Sequence, residues 1–268
     1  MSTYPSISVL VPTYGRTLFL GEVLESYLQQ DYPGESELVI LNDVAEQKLQ
    51  WDNTPPANKH VRIINVGERM ALGSKQAHLI DLAKHEVITF WDDDDIYLPY
   101  RLSLAFVLLY TKVGSEVIAR PATFERREWH MDDTYNLILR PCRPFNTVTC
   151  FKKTIADVGG FRDKAQNEVN MVMNALTRAR KVDNIPQLAT PPSTIYRAQS
   201  STGIARITKC RAADGKRLPD SELLSVLEVN LFNRMATNKE PSGIIDLQAM
   251  WDRDYVSMVK MAWSELQP

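Results

Sequence analysis

The chain has 268 residues, 44% of them hydrophobic and 24% charged, and a formal net charge of -2. That size supports one full core with room for a smaller appended unit. Apolar runs reach about half a membrane span at most, which argues against a transmembrane segment.

No basic stretch leads into an apolar core between Met1 and Ser6, so no signal peptide is expected. Cys142, Cys150 and Cys210 stand too far apart for a zinc pair and point to reduced thiols. A cytoplasmic location follows as the expectation, with a peripheral position at a membrane compatible with it. The net charge hides an asymmetry: Arg120 to Arg217 holds 18 Lys+Arg against 9 Asp+Glu. Such an excess suits an anionic partner, or is simply an uneven solvated surface.

Ile7 to Val11 is a continuous β-branched and Leu run, predicted as a buried parallel strand that Pro12 ends. Leu20, Val23, Leu24, Tyr27 and Leu28 recur at helical spacing and stop before Pro33-Gly34. Leu38 to Leu41 and Val61 to Val66 are further strands, Ser74 to Lys84 is an amphipathic helix, and Val87 to Trp91 is a fourth strand. Leu102, Ala105, Phe106, Leu109 and Tyr110 predict another helix, followed by strands near Glu116 to Ala119 and Thr147 to Phe151. A Gly159-Gly160 break precedes a helix from about Gln166 to Arg180. After Ser200 the chain is polar and basic, then reads as helical from Ser221 onward. No repeat or low-complexity tract occurs. The alternation predicts an α/β fold: an open, mostly parallel, Rossmann-like sheet flanked by helices, with a helical C-terminal extension.

Ligands of such sheets bind beyond the carboxyl ends of the strands. Three polar segments fall there: Pro12 to Arg16, Asn42-Asp43 and Asp92 to Asp95. Four adjacent carboxylates repel one another, and a divalent cation relieves that repulsion. Mg²⁺ or Mn²⁺ prefers such hard oxygen donors together with substrate phosphates. A solvated acidic turn is the plainer alternative, but the buried run ahead of Asp92 points the cluster into the crevice. An EF-hand does not fit, because Asp94 is followed by Asp95-Ile96-Tyr97 without the required glycine.

These segments together resemble the family-2 glycosyltransferases of the GT-A fold, in the branch whose strand-end motif is a run of aspartates. Ser8-Val9-Leu10-Val11-Pro12-Thr13-Tyr14-Gly15-Arg16 is similar to the opening strand and nucleotide loop. Gln30-Asp31-Tyr32-Pro33, Glu37 to Asp43 and Leu72-Gly73-Ser74-Lys75-Gln76 resemble the segments that follow. Trp91 to Pro99 resembles the metal motif, and Gly159-Gly160-Phe161 a segment near the acceptor site. The resemblance covers about residues 6 to 200. It implies a domain at 1–200, with a nucleotide-sugar half at 1–100 and an acceptor half at 101–200, ahead of the extension at 201–268.

The resemblance also implies roles. Pro12, Thr13 and Tyr14 line the base and ribose pocket, and Asp43 accepts from the base N–H. Arg16 and Lys75 meet the diphosphate. Asp94 with Asp92 holds Mn²⁺ or Mg²⁺, Asp93 contacts ribose or sugar, and Asp95 starts the following helix. For inversion a carboxylate must take the acceptor proton. Where the family has Glu-Asp, this chain has Glu168-Val169, so Glu168 is the candidate base, with Asp157 and Asp163 in reserve. Related sequences often carry Arg-His where Arg197-Ala198 stands here.

The implied reaction is inverting transfer from a nucleotide-sugar, with a UDP-sugar the expected donor. The acceptor is not legible: an anionic glycan, a polyprenyl phosphate and a modified nucleic acid all suit the basic excess. Val169 and Ala198 keep open a nucleotide-sugar or glycan binding module with degenerate catalysis. A metal-dependent nucleotidyl or phosphoryl transferase ranks last, since no Gly-rich phosphate loop with Lys-Ser/Thr occurs. The tail, with Trp251 and Trp263, is expected to cover the core or to form a homodimer contact.

Overall fold

The computed structural model describes residues 4–14, 16–113, 116–132, 135–141, 145–161, 168–179, 190–197 and 242–266. The first half alternates as expected: β1 (Ile7–Thr13), α1 (Thr17–Leu28), β2 (Ser36–Asn42), β3 (Gln47–Gln50), β4 (Lys59–Asn65), α2 (Leu72–Leu82) and β5 (Val87–Phe90). It continues with β6 (Ile96–Tyr97), α3 (Arg101–Leu109), β7 (Tyr110–Val113), β8 (Glu116–Ala119), β9 (Ala122–Thr123), β10 (Arg127–Met131) and β11 (Leu137–Pro141). A 3₁₀ turn (Phe145–Thr147) then leads to β12 (Thr149–Phe151), α4 (Lys152–Asp157), α5 (Glu168–Arg178), β13 (Thr194–Arg197), β14 (Gly243–Asp246) and α6 (Tyr255–Glu265).

The main sheet has the order β4-β2-β1-β5-β12-β9. β1, β2, β4 and β5 are parallel, whereas β12 runs antiparallel to both β5 and β9. Every residue of β1 and β2 is buried, as expected of central strands covered on both faces. Alternate residues serve different layers. Val9, Val11, Leu38 and Ile40 pack with Leu20, Val23 and Leu24 of α1, while Leu10, Val39 and Leu41 pack with Leu79 of α2 and Leu176 of α5. Each such aliphatic side chain contributes roughly 1.5–3 kcal/mol on burial. The chain lays β2 and β4 on one side of β1, then crosses through α2 to place β5 on the other. The C-terminal ends of β1 and β5 therefore form the topological switch point, where a crevice opens.

Four expectations change. Pro12 does not end β1: the strand runs on to Thr13, with Pro12 opposite Leu41. Pairing with β5 stops at Leu10, so the missing N–H of Pro12 falls beyond that ladder. Of Thr147 to Phe151, only Thr149–Phe151 is strand, and the 3₁₀ turn ends at Thr147. Asp95 starts no helix; it precedes β6, and α3 begins at Arg101. The extension is not helical throughout its described residues, because Gly243–Asp246 pairs in parallel with β3. β3 is hard to foresee, since in Gln47-Lys48-Leu49-Gln50 only Gln47 and Leu49 are buried. The Gly159-Gly160 break is confirmed: both lie at positive φ, and Gly160 N–H closes the end of α4 on Ile155 O at 2.9 Å.

A second sheet, β11-β10-β13-β6, stands beside the crevice. The tail packs on the chain itself. Leu247 is buried in the α1 layer, Trp251 Nε1 donates to Ser26 Oγ at 3.0 Å, and the ring of Trp263 meets that of Trp129 at 6.3 Å. No helix among the described residues is long and apolar enough to cross a membrane.

Candidate active site

Val87 to Trp91 deliver the aspartates to the crevice. The Trp91 ring is buried and stacks on that of Tyr97 at 4.0 Å, and Asp92 N–H donates to the Tyr97 hydroxyl at 2.6 Å. With the turn fixed, the four side chains divide. Asp93 and Asp95 are buried. Asp93 accepts from Thr13 Oγ1 at 2.6 Å and faces Arg16 Nη2 at 2.8 Å, while Asp95 accepts from the Asn146 amide and from Arg197 N–H, the latter at 3.2 Å. Asp92 is exposed, and Asp94 is partly exposed while meeting Arg16 Nη1 at 2.5 Å.

Repulsion shows in the electrostatics. The Asp92 carboxyl is pushed up to about 7, by its enclosure first and then by Asp94 and Asp93. Because Asp92 is open to solvent, the repulsion is the stronger argument for that rise. Asp94 rises to about 6 through burial, which Arg16 opposes, and Asp95 rises well above the usual carboxyl range for the same first reason. Arg16 is held more firmly protonated than free arginine: burial works against its charge, and Asp93, Asp94 and Asp92 prevail. One guanidinium thus faces several carboxyls, leaving acidity for a further cation to offset. Among the described residues no three His, Cys, Asp or Glu side chains converge on one metal position. Two hard carboxylates, Asp92 and Asp94, nevertheless suit Mg²⁺ or Mn²⁺, which takes one or two from the protein when phosphates complete its shell.

Several of the other sequence-selected residues gather here. Lys75 is an internal tie: buried, it donates to Asp43 Oδ1 at 2.6 Å and to Thr13 O at 2.8 Å, clamping the ends of β1 and β2. The other Asp43 oxygen accepts from Met70 N–H at 2.8 Å, so both are engaged within the protein. Arg16 likewise sits on aspartates. Pro12 and Thr13 are buried at the strand end. Tyr14 is 45% exposed, with the Arg69 guanidinium 4.6 Å from its ring centre. Glu168 is the first residue of α5, but its side chain lies outside the described residues. Asp157 pairs with Lys153 on an exposed helix face, and Asp163 and Ala198 lie outside the described residues.

Nothing in the sequence marks Glu22 or Asn146, and Arg197 stands out only through the neighbouring Ala198. The fold makes them neighbours. Arg197 binds the buried Glu22 carboxylate, whose Oε1 accepts from the Tyr255 hydroxyl at 2.8 Å. A chain of contacts thus links the tail to the backbone that holds Asp95. Arg197 Nε and Asn146 Oδ1 are buried without hydrogen-bond partners among the described residues. Unsatisfied atoms beside a crevice are what a polar ligand or ordered water would complete.

A parallel sheet with a switch-point crevice, closing antiparallel strands and strand-end aspartates defines an α/β protein of the GT-A type. A mannosyltransferase of Pyrobaculum calidifontis, solved in complex with GDP-Man and Mn²⁺, shares this fold, with a TM-score of 0.53, 14% identity, and coverage of 89% of this chain and 77% of that one. Residues 8–162 match Glycosyl transferase family 2, and the chain belongs to that family. Over 106 residues it is 32% identical to WcaA of Escherichia coli (strain K12), named for glycosyl transfer in colanic acid biosynthesis, covering 39% of this chain and 38% of that protein. It is 28% identical over 106 residues to the GalNAc(5)-diNAcBac-PP-undecaprenol beta-1,3-glucosyltransferase of Campylobacter jejuni subsp. jejuni serotype O:2, covering 37% and 33%. The chain spans well under half the length of either curated relative.

Proposed function

We propose that the chain is an inverting glycosyltransferase that moves a sugar from a nucleotide-sugar, a UDP-sugar in the first instance, to a hydroxyl acceptor. One observation supports the reading: Asp93 and Asp95 are buried and bonded within the protein, while Asp92 is exposed and Asp94, though paired with Arg16, stays partly exposed at the switch point. Asp94 and Asp92 would hold Mn²⁺ or Mg²⁺, which would offset the charge of the departing nucleoside diphosphate. Tyr14 offers an exposed ring for the base, and the Arg69 guanidinium beside it would meet a phosphate. Lys75 and Asp43 shape the pocket from beneath, and Arg16 sets the orientation of Asp93 and Asp94. The acceptor oxygen attacks the anomeric carbon as the bond to the diphosphate breaks, and the hydroxyl proton passes to Glu168 at the start of α5.

Release of UDP from UDP-sugars, assayed with Mn²⁺ across an acceptor panel, tests the proposal. Asp94→Ala should abolish release with the fold retained, and Glu168→Gln should suppress release while sparing UDP binding. Near-native release by Asp94→Ala would refute the metal assignment. Mn²⁺-dependent UDP binding without release from any donor would instead identify a binding module, the reading that Val169 motivates.

A further inference from the structure

The second sheet has two faces with different surroundings. Trp129, Met131 and Ile195 pack under Tyr255 and Val259 of α6. Strand alternation turns Glu128, His130 and Tyr196 to the opposite face. Contacts agree with that placement: the rings of His130 and Tyr196 are 4.9 Å apart, and His130 Nε2 lies 2.8 Å from Glu128 Oε1. The same face runs into the crevice through β6. Thr194 pairs with Tyr97, whose hydroxyl holds Asp92 N–H, and Ile195 pairs with Ile96, so the next step of that register sets Tyr196 beside Asp95.

Glu128 stands out on this face. It is 2% exposed, and its Oε2 has no hydrogen-bond partner among the described residues. A buried acceptor left unsatisfied is costly, and such atoms in folded proteins normally have a partner in the functional state. The interactions that arrange the four aspartates do not involve it, yet its charge reaches both Asp92 and Asp95.

We propose that this face is the acceptor subsite and that it takes a neutral saccharide, whose ring lies on Tyr196 and His130 while one hydroxyl donates to Glu128 Oε2. The inference rests on the glycosyl-transfer reading and deepens it. The chemistry selects the occupant. A sugar hydroxyl is the donor that an orphaned carboxylate oxygen lacks, and the C–H face of a pyranose suits an aromatic surface. A phosphate brings acceptors and negative charge to a carboxylate, so the anionic acceptors suggested by the basic excess do not fit here. Glu128 orients the acceptor hydroxyls close to Asp92, and transfer then follows the chemistry given above.

Saturation-transfer NMR with a panel of methyl hexopyranosides tests this without a donor. At least one glycoside should bind the intact protein. Glu128→Gln should weaken it by about 10- to 100-fold, the loss expected for a hydrogen bond to a charged group. Tyr196→Ala should weaken it also, and covers the case in which the glutamate variant fails to fold. UDP titration with Mn²⁺ on the same samples reports separately on the donor site. Glycoside binding with no nucleotide binding would overturn the donor reading and leave this subsite standing. Glycoside affinity unchanged in both variants would overturn the subsite, as would binding of polyprenyl-phosphate vesicles with no response to any glycoside.

Discussion

Replacing Arg16 by alanine tests how the aspartate cluster is held. The guanidinium lies 2.8 Å from Asp93 Oδ1 and 2.5 Å from Asp94 Oδ2, and Nε reaches Asp93 Oδ2 at 3.2 Å. Asp93 is buried, so the change strands a negative charge beside two further carboxyls. Removing one partner of a buried pair costs about 3–5 kcal/mol. The Arg16 side chain is 32% exposed. Solvent screening then brings the expected loss to about 2–3 kcal/mol. Arg16→Lys should fall between, keeping the charge but losing the fork. Urea unfolding followed by tryptophan fluorescence reads the loss directly. Repeating it with Mn²⁺ adds a second arm: a cation that binds only the folded carboxylates stabilises by mass action. The gain from Mn²⁺ should therefore be larger in Arg16→Ala than in the parent, because more acidity is left to offset. A loss below about 0.5 kcal/mol, the size of an exposed ion pair, would refute the reasoning. So would equal Mn²⁺ gains in the two proteins.

Three further outcomes are expected. Glu37 is buried and accepts from Ser8 Oγ at 2.7 Å, Lys84 N–H at 2.5 Å and Arg62 Nη1 at 2.9 Å. Burial alone would raise its carboxyl, and these donors outweigh burial and lower it. A lowered folded pKa stabilises above the ordinary glutamate range and loses that contribution as pH falls through the lower value. The stability gap between the parent and Glu37→Gln should accordingly close on acidification in a urea series, and a gap independent of pH would contradict it. Lys75→Met leaves Asp43 buried against only Met70 N–H, for an expected loss of about 3–5 kcal/mol by chemical denaturation; a near-neutral result would show that the clamp is dispensable. Finally, a Cβ at Gly21 would meet the Gln248 carbonyl oxygen at 2.4 Å, a backbone atom that cannot swing aside. Gly21→Ala should release the tail from α1, giving new cleavage near residues 247–251 in limited proteolysis, and an unchanged digest would argue against that docking.

The sequence by itself determined the parallel half of the fold and the location of the aspartates. A continuous β-branched run such as Val9 to Val11 or Val39 to Leu41 is buried on both faces, and that requirement is written in each strand separately. Helical periodicity likewise marks α1 and α3. The order of strand, acidic segment and glycine break was enough to suggest the family, since each motif constrains only its own few residues. What one strand cannot show is which of four adjacent aspartates turns inward. That depended on Thr13, Arg16, Asn146 and Arg197, drawn from three segments that meet only in the folded chain. Gly243 to Asp246 departs from the helical expectation for the same reason. Gln47 to Gln50 and Gly243 to Asp246 are weak strands alone and become one ladder by pairing across nearly 200 residues. The placement of Glu128, His130 and Tyr196 on one sheet face also exists only in three dimensions. Their residue types were always legible; the orphaned oxygen that gives them a role was decided by burial.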